Sequence, residues 1–205
     1  MGYEKEIRGT FIRKLREELD ACDAVFLCDF GHGLIDAETI KLIQEKAKYL
    51  VLNCQTNSSN HGLNIITKYT RADVFVVDQQ ELKLAFPVYA SDEKAGLRRL
   101  TEHLHGNGWL TRGSLGSYGI EQGEIEECPA FTLTVKDTVG AGDAFFSAAG
   151  LYAAAGAPIE AGTFIGNIAG ALAANIVLHI HQRIRILQYI DLLNCLFISD
   201  NIRRK

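Results

Sequence analysis

Lys136-Asp137-Thr138-Val139-Gly140-Ala141-Gly142-Asp143-Ala144-Phe145-Phe146 is the stretch that decides the fold. Two acids bracket a small Thr-Val-Gly-Ala-Gly turn, and an alanine-rich apolar segment follows. The glycines permit tight backbone curvature, so the run reads as a loop turning into a helix N-terminus. The first N–H groups of a helix have no partner within it, and the helix dipole makes that end attractive to anions, phosphate above all. An acid at such an end has two readings. Asp143 caps or charge-matches the helix, or it takes a proton from a hydroxyl that attacks a phosphoryl group held by those N–H groups.

Outward from this run, short apolar stretches alternate with amphipathic ones. Residues 3–20 predict a helix, with Ile7, Phe11, Leu15 and Leu19 four apart and Ile12 widening the stripe. Residues 24–30 read as a buried strand ending in the turn Gly31-His32-Gly33, and Asp36 caps a helix to about Lys48. Further strands are expected at 50–54, 74–77 and 109–111, with helices opening near Gln79 and after a cap at Ser91. Residues 118–135 read as short strands around Gln122-Gly123, and the remainder is helical from Ala141 to about Ile198. Such alternation predicts an α/β fold, a Rossmann-type layered parallel sheet with helices on both faces. With three prolines and no repeat or linker, residues 1–205 are expected to form a single domain. In such sheets ligands bind beyond the carboxyl ends of the strands.

Composition narrows the function. A hydrophobic content of 47% with 22% charged residues describes a soluble globular chain. A net charge of -4 argues against a nucleic-acid partner. Cysteines at 22, 28, 54, 128 and 195 lack paired metal-ligand spacing, and their odd number and scatter fit reduced thiols in a cytoplasmic protein. The charged start, Met-Gly-Tyr-Glu-Lys-Glu, shows no signal peptide. Residues 161–178 carry no charge, and Gly162, Gly166 and Gly170 stand four apart. In a membrane that spacing dimerises helices. Here alanine and glycine dominate and Asn167 sits mid-segment, so a buried helix with closely packed neighbours is expected and no membrane span.

Residues 137–143 match at all seven positions the signature Asp-Thr-x-Gly-Ala-Gly-Asp, and on that match the chain resembles the ribokinase family of PfkB-type carbohydrate kinases. The resemblance implies a ribokinase-like fold, ATP and Mg2+ as cofactors, and a sugar or sugar phosphate as acceptor. It implies Asp143 as catalytic base, the amides of Gly140, Ala141 and Gly142 as an anion hole, and Asp137 and Thr138 on the nucleotide side.

Other segments follow the family's order. Asp78-Gln79-Gln80-Glu81 lies where the family carries Asn-x-x-Glu, tied to magnesium and phosphate. Two acids three apart at a helix start also make an ordinary cap. The resemblance implies Glu81 and Asp78 as the magnesium residues, with Glu81 the closer match. Thr111-Arg112-Gly113-Ser114-Leu115-Gly116 looks like the family's Thr-x-Gly-x-x-Gly nucleotide loop, implying roles for Thr111, Gly113 and Gly116. Arg112 is read as either a solvent-facing charge or a phosphate partner. Asp29-Phe30-Gly31-His32-Gly33 resembles the Asp-Tyr-x-Lys-Gly segment of the heptose-phosphate kinase half of ADP-heptose synthases, with His32 in place of lysine. His32 and Asn53, the latter in a polar loop with Cys54, Gln55, Thr56, Asn57 and His61, are candidate substrate residues. Asn167 lies on the helix that flanks the nucleotide base in relatives, or else makes a packing hydrogen bond. His103, His105, His179 and His181 read as surface residues.

The resemblance runs from about Ala24 to Ala174. The family's first strands, its Gly-Gly-x-x-x-Asn sugar segment and its β-sheet lid have no counterpart, and residues 177–205 lack the expected glycine turn. The chain is therefore expected to be a C-terminal, nucleotide-binding portion. Its 7–19 stripe and open sheet edge are expected to need an upstream domain or self-association. The alternative is a non-catalytic nucleotide-binding or interaction module, and a third choice is a hydroxymethylpyrimidine-type vitamin kinase.

Overall fold

A computed structural model describes residues 2–56, 62–131 and 135–175. Six strands form one sheet whose order in space is their order in the chain: β1 (Val25–Asp29), β2 (Leu50–Cys54), β3 (Val74–Asp78), β4 (Asn107–Thr111), β5 (Ser117–Glu121) and β6 (Glu124–Cys128). The first four are parallel, and the last two return antiparallel as a hairpin. Gln122 and Gly123 take the tight turn with φ of 53° and 88°.

Period-two alternation sorts the strand side chains into two cores. Val25, Leu27, Leu50, Leu52, Phe75, Val77 and Leu110 face α1 (Gly2–Ala21), α2 (Ala37–Lys46), α3 (Gln79–Ala85) and α4 (Glu93–Leu104). Phe26, Val51, Val74, Val76 and Trp109 face the other way. Because the parallel crossovers run in one direction along the sheet, their helices all fall on one side. The second face is covered by α5 (Ala141–Ala154) and α6 (Ile159–Asn175), which follow the hairpin and supply Phe145, Phe146, Ala149 and Ile159. The layered α/β fold with helices on both faces is thus present.

Local chemistry sets the helix starts. Asp36 caps α2 by accepting from the Thr39 amide at 2.9 Å. At α4 the cap is Asp92 rather than Ser91, its carboxylate accepting from Ala95 at 3.0 Å. The helical run after Ala141 is not continuous. Gly156, at φ 85°, and Pro158 separate α5 from α6, and the Ala157 amide folds back onto the Tyr152 carbonyl.

The glycines of α6 do what close packing requires. A Cβ at Gly162 would stand 2.5 Å from the Trp109 ring, and one at Gly166 would stand 2.7 Å from Phe145. Among the described residues no helix is long and apolar enough to cross a membrane. The α1 stripe is largely covered within the chain. Leu15 and Leu19 are buried, Phe11 and Ile12 pack against the same core, and Ile7 is left exposed. His103 is half-buried, and its Nε2 lies 2.8 Å from the Tyr69 carbonyl and 3.0 Å from that of Thr67. His179, His181, Cys195 and the expected helix beyond Asn175 lie outside the described residues.

Candidate active site

The carboxyl ends of β2, β3 and β4 meet the N-terminus of α5. Phe145 and Phe146 anchor that helix, stacking edge-on against Trp109 and Phe26 with ring centroids 6.2 and 5.7 Å apart. Gly142 and Asp143 are left exposed on the opposite side of the first turn. Gly140 precedes the helix in the left-handed region, φ 81°, where a side chain would be strained.

The amides of this turn are not equivalent. The Ala141 N–H donates to the Thr138 carbonyl at 3.2 Å, whereas Gly142 belongs to the first turn, whose donors lack a carbonyl one turn back. Asp137 shapes the approach by accepting from the Val139 amide at 3.0 Å.

A cleft of about 690 Å³ opens in front of α5. Asp78, Thr111, Gly113, Gly116, Thr138, Ala141, Gly142 and Asn167 all line it, and Phe131, Val135, Phe145 and Ala174 give it an apolar side. Thr111 to Gly116 closes into a compact turn, with the Arg112 amide on the Gly116 carbonyl at 2.8 Å. Gly116 is required there, since a Cβ would stand 2.0 Å from the Cys128 carbonyl oxygen. Asn167 lines the cleft, and its Nδ2 donates to Ser117 Oγ at 2.8 Å, a packing hydrogen bond. Arg112 has neither. Its guanidinium binds Glu93 and Glu127 and does not line the cleft.

Asp78 and Glu81 form a reciprocal capping box at the start of α3. Asp78 accepts from the Glu81 amide at 2.7 Å, and Glu81 accepts from the Asp78 amide at 2.9 Å. Asp78 is exposed to the cleft, while Glu81 is only 8% exposed. Burial pushes the Glu81 carboxyl up to about 8, and the nearby charges of Asp78 and Asp143 push the same way against two backbone hydrogen bonds.

The loop after β2 joins these acids. The Thr56 amide approaches Glu81 Oε1 at 3.4 Å, and Gln55 Nε2 donates to Asp143 Oδ1 at 2.9 Å. A buried cluster beneath holds that loop. Asn64 Nδ2 donates to the carbonyls of Asp29 and Gln55, and the buried Asp29 carboxylate receives the Tyr69 hydroxyl and the Lys68 ammonium. Asn64, Lys68 and Tyr69 had no local sequence signal, since each acts only through tertiary contact.

The two candidate substrate residues stand apart from the cleft lining. Asn53 is not in the loop but within β2, buried, with Nδ2 donating to the Val76 carbonyl at 3.0 Å. The parallel pairing of β1 and β2 runs through Asp29 and Cys54, which keeps Asn53 inside the sheet. Its Oδ1 has no partner among the described residues. His32 is exposed on the turn after β1, its ring stacked near Phe30 at 6.4 Å. Asn57 and His61 lie outside the described residues.

The donor set suits an anionic nucleotide and a hard cation. Glycine-lined backbone and a helix N-terminus face the cleft. Asp78 lines the cleft, and the buried Glu81 behind it feels the charges of Asp78 and Asp143, a repulsion that a cation would relieve. Among the described residues no three acids, histidines or cysteines form a metal cage.

Fold and cleft together define a ribokinase-like α/β domain. The chain belongs to the pfkB family of carbohydrate kinases, whose model matches residues 20–176. The bifunctional protein HldE of Helicobacter hepaticus is 24% identical over 206 residues, covering 92% of this chain and 42% of that protein. HldE of Wolinella succinogenes is 26% identical over 172 residues, covering 82% and 35%. The chain thus spans less than half the length of these relatives. Phosphofructokinase-2 from Escherichia coli in complex with potassium superposes with a TM-score of 0.67 at 15% identity, over 80% of this chain and 56% of that one. Ribokinase of Arabidopsis thaliana, complexed with ribose and ATP, superposes with a TM-score of 0.63 at 18% identity, over 80% and 53%. At these identities the likeness shows the fold.

Proposed function

We propose that this chain is the nucleotide-binding portion of a kinase that moves a phosphoryl group from ATP to a hydroxyl of a sugar or sugar phosphate. The carrying observation is the position of the Asp143 carboxylate, in the first turn of α5 directly after Gly140-Ala141-Gly142. Asp143 accepts the proton of the acceptor hydroxyl, using the oxygen that Gln55 does not hold. The Gly140 to Gly142 amides stabilise the charge that develops beside it, an effect worth about 3–4 kcal/mol per donor in comparable sites. Ala141 joins them when its N–H leaves the Thr138 carbonyl. Thr111, Gly113, Gly116, Thr138 and Asn167 form the nucleotide cleft, and Asp137 holds its edge.

Bound ATP supplies the phosphoryl group. Asp78 and Glu81 would hold Mg2+ through its water shell, and the ion would neutralise phosphate charge. His32 and Asn53 remain candidates for the acceptor side, with His32 the more accessible.

HldE relatives are described as bifunctional, which supports a need for further sequence around this domain. The test is ADP release from ATP and Mg2+ against a panel of sugars and sugar phosphates, using the longest polypeptide that contains this chain. Acceptor-dependent ADP release is expected. Nucleotide binding without turnover of any acceptor would favour the non-catalytic module instead.

A further inference from the structure

Arg112 lies between two cleft-lining residues, Thr111 and Gly113, yet its own side chain is turned elsewhere. Its Nε donates to Glu93 at 3.0 Å and its Nη1 to Glu127 at 2.8 Å. The guanidinium carbon sits 4.1 Å from the centroid of the Tyr118 ring. Its side chain is 13% exposed, and Glu93 is 22% exposed. Both bonds are charge-assisted, and the planar group matches two carboxylates in a way a lysine does not.

The chain of contacts extends along one side of the cleft, where Asp78 and Thr111 are paired neighbours on β3 and β4. Glu93, in the first turn of α4, also receives the side-chain amide of Gln79. Gln79 opens α3 immediately after the cap Asp78, and both line the cleft. One line of side chains, Gln79–Glu93–Arg112–Glu127, therefore ties the Asp78 edge to the Thr111–Gly116 turn and to β6.

We propose that Arg112 is a positioning residue for the nucleotide: it holds the Thr111–Gly116 turn against α4 and the β5–β6 hairpin and makes no contact with phosphate. Leaving for a phosphate would strip Glu93 of its cation in a half-buried place, at a cost the bound ligand would have to meet. This proposal rests on the reading of the cleft as a nucleotide site.

The experiment uses the full chain with Arg112→Gln, Arg112→Lys and, at the exposed end of the network, Glu127→Gln. Calorimetry measures affinity for ATP, ADP and adenosine, and amide hydrogen exchange follows residues 112–116. Arg112→Gln is expected to weaken all three ligands by a similar factor, on the order of tenfold, and to speed exchange at the Leu115 and Gly116 amides. Arg112→Lys should recover part of the loss, and Glu127→Gln should lose less, in the same direction. A loss confined to ATP and ADP would make Arg112 a direct phosphate partner and overturn the proposal. Unchanged affinities, or unchanged exchange, would also overturn it. A wild-type chain that binds none of the three ligands would instead overturn the nucleotide reading itself, with the exchange data still judging whether Arg112 holds the Thr111–Gly116 turn.

Discussion

The side-chain amide of Gln55 donates to Oδ1 of Asp143 at 2.9 Å, joining the end of β2 to the first turn of α5 across 88 positions of sequence. The bond occupies one oxygen of the proposed base and so fixes the direction of the other. The Gln55 backbone is itself held on both sides, by its amide on the Asp29 carbonyl at 2.9 Å and by Asn64 on its own carbonyl at 3.0 Å. Gln55→Ala is expected to lower kcat roughly tenfold, the scale of one hydrogen bond to a charged group, with little change in KM for ATP. Steady-state kinetics separate the two, and an effect on KM alone would assign Gln55 to binding.

Glu81 gives the fold a pH dependence with a definite sign. Its carboxyl is raised from an ordinary 4.5 to about 8, first by burial and then by Asp78 and Asp143. Between those values the unfolded chain has lost the proton and the folded chain keeps it, so each rise in pH favours unfolding. The stabilisation is complete below 4.5, falls through the window, and is gone above about 8. Tm measured against pH should show this decline in the wild type. Glu81→Gln, which preserves the capping box, should remove it, and parallel curves would refute the assignment.

Magnesium dependence should run through Glu81 more than Asp78. Asp78→Asn keeps an N-cap acceptor and takes a negative charge away from Glu81, so it should be tolerated. Glu81→Gln should raise the Mg2+ needed for half-activation several-fold, given the loss of the negative charge that would hold the ion's water shell. Activation curves for the two variants decide it; a shift in the Asp78 variant alone would reverse the order.

Gly166→Ala tests whether α6 packing shapes the cleft. The new methyl would meet the Phe145 ring at 2.7 Å, and Phe145 lines the cleft. Overpacking of this kind costs about 1–3 kcal/mol. The denaturation midpoint should fall and nucleotide affinity should weaken with it. A neutral substitution would show that the helix moves aside freely.

Much of this was legible in the sequence because it is local. Val25 and Leu27 against Phe26 announce a strand buried on both faces, and Asp36 and Asp78 announce helix starts. The seven-residue run at 137–143 placed the turn into α5 and pointed to the family. What failed was either a choice between neighbours or a matter of tertiary contact. Ser91 and Asp92 are both good caps, and the chain uses the carboxylate. Gly156 and Pro158 are a helix stop that the apolar composition around them obscured. Nothing near Asn53 says that its amide will be spent on Val76, and nothing near Arg112 names Glu93 and Glu127 as its partners. The Gln55–Asp143 bond has no sequence pattern at all.

Asp143 is the proposed base on which phosphoryl transfer depends. The direct measurement is acceptor-dependent ADP release by the wild type and by Asp143→Asn, in the longest polypeptide containing this chain, alongside nucleotide affinity by calorimetry. Turnover is expected to fall by at least ~10²-fold, the usual scale for a general base, while ATP is bound about as well as before. Near-full turnover with unchanged nucleotide affinity would contradict it and place the proton acceptor on another residue.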